Sequence, residues 1–199
     1  MESPDPIRIE RWQPDPARVN DDLDMLGGVL HACVHAGASV SFILPFSRDD
    51  AKGFWRDQVL PAVRAGSRCV LLARHAAEIV GTVQLDLATP PNQPHRAEVK
   101  KLLVHPDARR RGIARSLMTA AEIEARAARR SLLTLDTVAG GAAEPLYRSL
   151  GYIPIGVIKS PASSTTFSQG TMIGSRSSPP STIRSVRGKS ECAPCCQTQ

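Results

Sequence analysis

The segment from residue 98 to residue 118, EVKKLLVHPDARRRGIARSLM, constrains the fold of this chain more than any other. A run rich in Leu and Val ends at Pro106, and a short loop leads into a long stretch that begins at Arg109. Apolar residues then recur on one helical stripe, as an amphipathic helix requires: Ile113, Leu117, Ala121, Ala125 and Ala128. The segment therefore predicts a strand that passes through a tight loop into a helix.

The remaining patterns predict an α+β fold in which helices flank a mixed, mostly antiparallel sheet. Strands are predicted at 7–12, 69–74, 79–88, 96–106, 131–137 and 152–158. Helices are predicted from Leu23 to Val34, over 48–66 with a break near Pro61, over 109–130 and over 142–151. The connector between 69–74 and 79–88 is short, as in a hairpin.

Charge and composition disfavour several classes of protein. Residues 1–158 hold 20 basic and 18 acidic residues, a net charge of +2, whereas residues 159–199 hold five basic residues and one acidic residue, a net charge of +4. A nearly balanced body without a recognition motif argues against nucleic acid as a partner. No apolar run is long enough for a membrane helix, and no secretory signal opens the chain. Five irregularly spaced cysteines favour a reducing cytoplasm.

The composition changes after Ile158. Residues 160–199 contain ten serines and no regular apolar period. Such a segment buries too little surface to offset its chain entropy. We therefore predict one domain over 1–158 and a disordered basic tail over 159–199, which is either a genuine appendage or a frame-shifted terminus.

The start of the helix near Gly112 offers a place for a phosphate group. The first turn of a helix has N–H groups without intrahelical partners, and its dipole favours an anion. Gly112 removes a side chain, and Arg109, Arg110, Arg111 and Arg115 add positive charge. The residues alone leave a second interpretation open, a solvated basic helix start whose glycine only eases the turn.

The same residues resemble a known signature. Arg109, Gly112 and Ala114, after a strand that ends at Leu103-Val104, are similar to the Arg/Gln-x-x-Gly-x-Gly/Ala motif with which GNAT acetyltransferases bind acetyl-CoA. LYRSLGY at 146–152 is similar to the final motif of that family, and the resemblance spans roughly residues 7–158. HAGASVSF, RAEVKKLLVHP and LLTLDTVAGGAAEPLYRSLGY resemble the tabtoxin-resistance acetyltransferases within it. The resemblance implies the GNAT fold, here with a truncated or altered last strand.

The resemblance also implies where acetyl-CoA is held. The strands at 98–104 and 132–137 splay apart in this fold, and backbone groups in the gap hold the pantetheine arm. The expected binding residues are Leu102, Leu103, Val104, Arg109, Arg110, Arg111, Gly112, Ile113, Ala114 and Arg115. The N–H groups of 110–115 would hold the pyrophosphate, and one N–H near Leu103 or Val104 would stabilise the oxyanion.

Three residues are candidates for proton transfer in a direct attack of the acceptor on the thioester. Glu98, on the cleft strand, is expected to remove the proton, although an exposed glutamate paired with Arg96 or Lys100 is the alternative. Asp136 ends the next strand and is expected to face the same cleft, unless it caps the following loop. Tyr147, in the last helix, is expected to protonate the leaving thiolate, unless it is a core aromatic residue.

The function that follows is acetyl transfer from acetyl-CoA to an amine or hydroxyl group of a small molecule, with a role in antibiotic or toxin resistance as one option. The alternative is a catalytically silent relative that binds acyl-CoA, because the last strand of the fold is not recognisable in the sequence. No metal ion is expected. A homodimer is compatible with the sequence but is not indicated by it.

Overall fold

The computed structural model describes residues 6–38, 40–159 and 168–174. Its strands are β1 (Arg8–Arg11), β2 (Arg68–His75), β3 (Glu78–Asp86), β4 (Arg96–Val104), β5 (Leu132–Val138), β6 (Ile153–Lys159) and β7 (Ser168–Gly174). Its helices are α1 (Val19–His35), α2 (Arg48–Phe54), α3 (Leu60–Arg64), α4 (Ile113–Ala127) and α5 (Glu144–Ser149). A π-helical turn, Trp55–Val59, joins α2 to α3, and a 3-10 turn, Pro106–Ala108, follows β4.

The strands form one sheet in the order β1-β2-β3-β4-β5-β7-β6. Strands β4 and β5 pair in parallel, and the other neighbouring strands among the described residues pair antiparallel. The predicted mixed, mostly antiparallel sheet is confirmed. Each predicted strand up to residue 158 is found within about two residues of its expected bounds.

Two apolar clusters cover the two faces of the sheet. On one face, α4 packs on β1 to β4, and its stripe of Ile113, Leu117 and Ala121 is buried. On the other face, α1 packs on β3 and β4 and α3 packs on β2, around the fully buried Trp55. None of the helices in the described residues combines the length and apolar character that crossing a membrane requires.

The helical region at 48–64 begins at a capping box. The Ser47 hydroxyl accepts from the N–H of Asp50, and the Asp50 carboxylate accepts from the N–H of Ser47. The predicted break near Pro61 takes the form of the π turn, and the chain stays helical through it. Proline has no N–H to donate to the preceding turn, so the hydrogen-bond pattern widens just before it.

Strand β7 corrects the expectation of a truncated last strand and of a disordered tail from residue 159. Ser168–Gly174 pairs with β5 on one side and with β6 on the other. The sequence concealed this strand because SQGTMIG contains two glycines and no alternating apolar pattern. A Cβ at Gly174 would lie 2.8 Å from a ring carbon of Tyr152, so glycine is required there. Residues 160–167 and 175–199 lie outside the described residues, and the division at 158 stays a prediction.

Candidate active site

The expected gap between β4 and β5 is present. The two strands pair at three positions, Arg96 with Leu132, Ala97 with Leu133 and Glu98 with Thr134. Past Glu98, β4 continues for six residues along β3, and β5 turns to pair with β7. Leu102, Leu103 and Val104 therefore lie on an edge of β4 that no described strand covers.

A bulge in β4 produces this divergence. Gln84 of β3 pairs with Lys100, but Thr82, two residues earlier, pairs with Leu103, so β4 has one extra residue. Lys101 lies in this bulge and has a left-handed backbone conformation, with a φ of +50°. A bulge bends its strand and increases the local twist, which turns the end of β4 away from β5.

The α4 entry loop, Arg109–Gly112, leads from β4 to α4. Arg110 and Gly112 have φ values of +66° and +75°, and α4 begins only at Ile113. The predicted start at 109 is therefore wrong, because left-handed residues cannot belong to a right-handed helix. Gly112 is the N-cap residue, and apart from its chain neighbours no atom lies within 4 Å of the position that a Cβ would occupy. No side chain caps α4, so its first N–H groups are available to a ligand.

The expected arginines surround this helix start. Arg109, Arg110, Arg111 and Arg115 are exposed, and no ion pair between described residues involves any of them. Arg109 donates through Nε to the Val104 carbonyl at 3.3 Å, which fixes the loop to the end of β4. Arg115 donates to Ser149 Oγ at 2.8 Å, which brings α5 to the first turn of α4.

Glu98 and Asp136 lie on the same face of the sheet. Glu98 is opposite Thr134, and Asp136 is two residues further along β5, where its carboxylate is exposed. Glu98 is half-buried, and Lys100 Nζ lies 3.2 Å from its Oε2. The contact with Lys100 that the alternative named is present, although Glu98 is half-buried rather than exposed. Glu98 lies at the last paired position before the gap, and its role as the base stays a prediction.

Sequence reasoning missed a line of charged side chains that ends at Glu98. We call this line the charged row: Arg68, Asp86, Lys100 and Glu98. Asp86 Oδ2 accepts from Arg68 at 2.9 Å and from Lys100 at 2.9 Å. Burial alone would raise the pKa of Asp86, but these hydrogen bonds, the N–H of Ala88 and the two positive charges outweigh it and lower the pKa. A charged residue near the end of each of three apolar strands was the available signal.

Lys101 was also missed, because two successive lysines within an apolar strand were not interpreted as a bulge. Its ammonium donates to the Val40 carbonyl and lies 4.7 Å from the ring centroid of Phe42 and 5.6 Å from that of Phe54. Burial, followed by the charges of Lys100 and Arg68, lowers the pKa of Lys101 to about 8. Lys101 thus holds the segment between α1 and α2 against the bulge of β4.

Tyr147 lies on the opposite face of the sheet. Only 7% of its surface is exposed, and its ring centroid is 6.0 Å from that of Tyr152. Burial raises the pKa of Tyr147 to about 12, so its hydroxyl stays protonated at neutral pH. Tyr147 therefore has the buried position of the core alternative, in a helix that Arg115 joins to the start of α4, and its role as proton donor stays a prediction.

Comparison with known proteins agrees with this geometry. Residues 66–154 match the model of the acetyltransferase (GNAT) domain. An acetyltransferase from Salmonella typhimurium, solved with its cofactor acetyl-CoA, is similar at 15% identity and a TM-score of 0.68, over 85% of this chain and 93% of the other. The ribosomal-protein-alanine N-acetyltransferase of Brucella melitensis is 22% identical, with a TM-score of 0.69 over 85% of this chain and 99% of the other. An N-acetyltransferase from Staphylococcus aureus is 15% identical, with a TM-score of 0.70 over 85% of this chain and 98% of the other.

The fold, the gap at β4 and the uncapped start of α4 are those of the GNAT acetyltransferase fold. Within the chain, residues 66–154 are the part that matches the GNAT acetyltransferase domain. The narrower resemblance to the tabtoxin-resistance enzymes, the homodimer and the cytoplasmic location stay predictions.

Proposed function

We propose that this chain transfers the acetyl group of acetyl-CoA directly to an amine or hydroxyl group of a small molecule. The observation that carries the proposal is the gap between β4 and β5, which opens at Glu98 and ends beside the uncapped first turn of α4. A role in resistance to an antibiotic or toxin stays a prediction from sequence resemblance.

The start of α4 fits the pyrophosphate of acetyl-CoA. N–H groups of the loop and first turn are free of side-chain caps, a glycine leaves space beside them, and exposed arginines surround them. These features attract an anion through hydrogen bonds and charge together. Leu102, Leu103 and Val104 offer the edge of β4 to the pantetheine arm, with the Val104 carbonyl already accepting from Cys33 and Arg109.

The three proton-transfer candidates are divided between the two faces of the sheet, with Glu98 and Asp136 on one face and Tyr147 on the other. Glu98 would accept the proton that the attacking amine or hydroxyl loses, and Asp136 lies on that same face. Tyr147 lies in α5, which the hydrogen bond from Arg115 to Ser149 joins to the first turn of α4, and it would protonate the departing thiolate. This arrangement suits two substrates that meet in the gap from opposite sides.

The alternative is a catalytically silent relative that binds acyl-CoA. It was suggested by the absence of a recognisable last strand, and the pairing of β7 with β5 favours the enzyme instead. The acceptor stays unidentified, so a panel of amines and alcohols is the appropriate probe.

The test measures thiol release from acetyl-CoA with that panel, together with the affinity for acetyl-CoA by calorimetry. Glu98→Gln is expected to lower kcat by roughly 100-fold or more, the usual contribution of a general base, and to leave the affinity within about twofold. Glu78→Gln, an exposed glutamate at the far end of β3, is the matched control. Tyr147→Phe, assayed alongside, is expected to lower kcat by roughly 100-fold if Tyr147 is the general acid. Full activity of Glu98→Gln would remove Glu98 as the base, and no binding of acetyl-CoA would overturn the proposed function.

A further inference from the structure

We propose that Lys100 is a positioning residue that holds the Glu98 carboxylate aimed at the gap, and that Asp86 anchors Lys100 in turn. The inference rests on the proposed function, because it concerns the residue assigned there as the base. Nothing in the family resemblance assigns a role to either residue. The charged row that contains them crosses three strands and ends where β4 leaves β5.

The register of the sheet builds this row. Arg68 is opposite Asp86 across β2 and β3, and Asp86 is opposite Glu98 across β3 and β4. Two carboxylates directly opposite each other repel, and the repulsion disfavours the ionised form of both. Lys100, two residues along β4 from Glu98, bridges them at 2.9 Å and 3.2 Å. The charges therefore alternate along the row.

The inner part of the row is fixed and the outer part is open. The side chains of Arg68 and Asp86 are 18% and 11% exposed, whereas those of Lys100 and Glu98 are 36% and 32% exposed. Lys100 contacts Oε2 of Glu98, which leaves the other carboxylate oxygen for an acceptor in the gap. Anchored by Asp86, the ammonium restricts the rotamers of a side chain that would otherwise sample several.

Burial would lower the pKa of Lys100, but its hydrogen bond to Asp86 and the charges of Glu98 and Asp86 outweigh burial and raise the pKa. Lys100 therefore stays cationic throughout the working range of such an enzyme. The charged groups that share this part of the sheet with Glu98 are Arg68, Asp86, Arg96, Lys100, Lys101 and Asp136. Among them, Lys100 is the one in direct contact with the Glu98 carboxylate.

The row predicts opposite responses to two substitutions, which a merely structural role does not. Lys100→Met removes the neighbouring cation and leaves two facing carboxylates, so the acidic limb of the kcat/KM profile moves to higher pH. Asp86→Asn removes the repelling charge and frees Lys100 for Glu98, so that limb moves to lower pH. Lys100→Arg keeps the charge and is expected to restore the parent value.

Two readouts test these shifts on the full chain. The first is a carbon-13 titration of the glutamate side-chain carboxyls, in which the Glu98 signal is identified by its loss in Glu98→Gln. The second is the acidic limb of the kcat/KM profile for the best acceptor of the panel, which is expected to move with the signal. Lys100→Met is also expected to lower kcat by about tenfold with little change in acetyl-CoA affinity.

Shifts of opposite sign in Lys100→Met and Asp86→Asn support the row. Unchanged titration in both variants, or shifts in the same direction, overturns it. Lys100 is half-exposed, so Lys100→Met gives a folded reference if Asp86→Asn melts early. The carboxyl titration needs no turnover, so it tests the row even if no acceptor is acetylated, an outcome that would count against the proposed function alone.

Discussion

The two halves of the candidate active site are built from different parts of the polypeptide. The α4 entry loop and the first turn of α4 offer backbone N–H groups, with exposed arginines that take part in no ion pair among the described residues. The charged row is made of side chains from three strands that bind one another at about 3 Å. The hydrogen-bond donors of the first half are open to a ligand, whereas the charged groups of the second half already bind one another.

Because of this difference, the first half is suited to binding a ligand and the second half to controlling one catalytic side chain. We call the α4 entry loop and the first turn of α4 the cradle. It needs only a helix start and a residue that accepts a positive φ, so it binds a phosphate with little dependence on side-chain identity. A row of paired charges sets the orientation of one carboxylate, so each member matters through its neighbours. Changes in the first half should alter affinity, and changes in the second should alter rate and pH dependence.

The largest effect is expected from Gly112→Glu, which tests whether the two halves are separable. A carboxylate at this position introduces negative charge where the pyrophosphate would bind, and a φ of +75° is unfavourable for a side chain. We expect affinity for acetyl-CoA to fall by more than about 100-fold in calorimetry, or roughly 3 kcal/mol. Gly112→Asn, which accepts this φ without adding charge, is expected to lose far less. Normal binding by Gly112→Glu would place the phosphate site elsewhere.

A smaller effect is expected from Arg111→Ala. This substitution measures how much of the affinity for acetyl-CoA comes from a side chain of the cradle rather than from its backbone. Arg111 is exposed, so its attraction for a phosphate is partly screened by solvent and salt. We expect about a fivefold loss of acetyl-CoA affinity at low salt, which shrinks as the salt concentration rises. Arg129→Gln, an exposed arginine beyond the other end of α4, is the matched control. A loss as large as that of Gly112→Glu would mean that side chains dominate the cradle.

The smallest effect concerns Lys101, beside the charged row. Its pKa of about 8 lies below its usual value of 10.5, so between these values the unfolded chain binds more protons than the folded chain. Relative to Lys101→Met, the free energy of unfolding of the parent should therefore rise from pH 8 to pH 10.5. The expected rise is of the order of 1 kcal/mol, measured by urea unfolding at several pH values. A difference that falls over this range would contradict the burial of the ammonium.

The two halves also differ in how far the sequence predicts them. The cradle comes from one continuous segment, and Gly112 with its neighbouring arginines identified it, although the helix begins four residues later than expected. The charged row comes from three strands whose register cannot be known before the sheet is formed. Lys101 was missed for a related reason, because a bulge changes which face each later residue of β4 occupies.

Strand β7 has a consequence for synthesis of the chain. It follows β6 in sequence but lies between β5 and β6 in the sheet. Among the described strands β6 pairs with β7 alone, so β6 has no hydrogen-bonded place in the sheet until β7 has been made. A ribosome that stops soon after residue 158 would release a chain in which the outer edge of β5 stays open. The final hydrogen bonds of the sheet must therefore wait until Gly174 has left the exit tunnel.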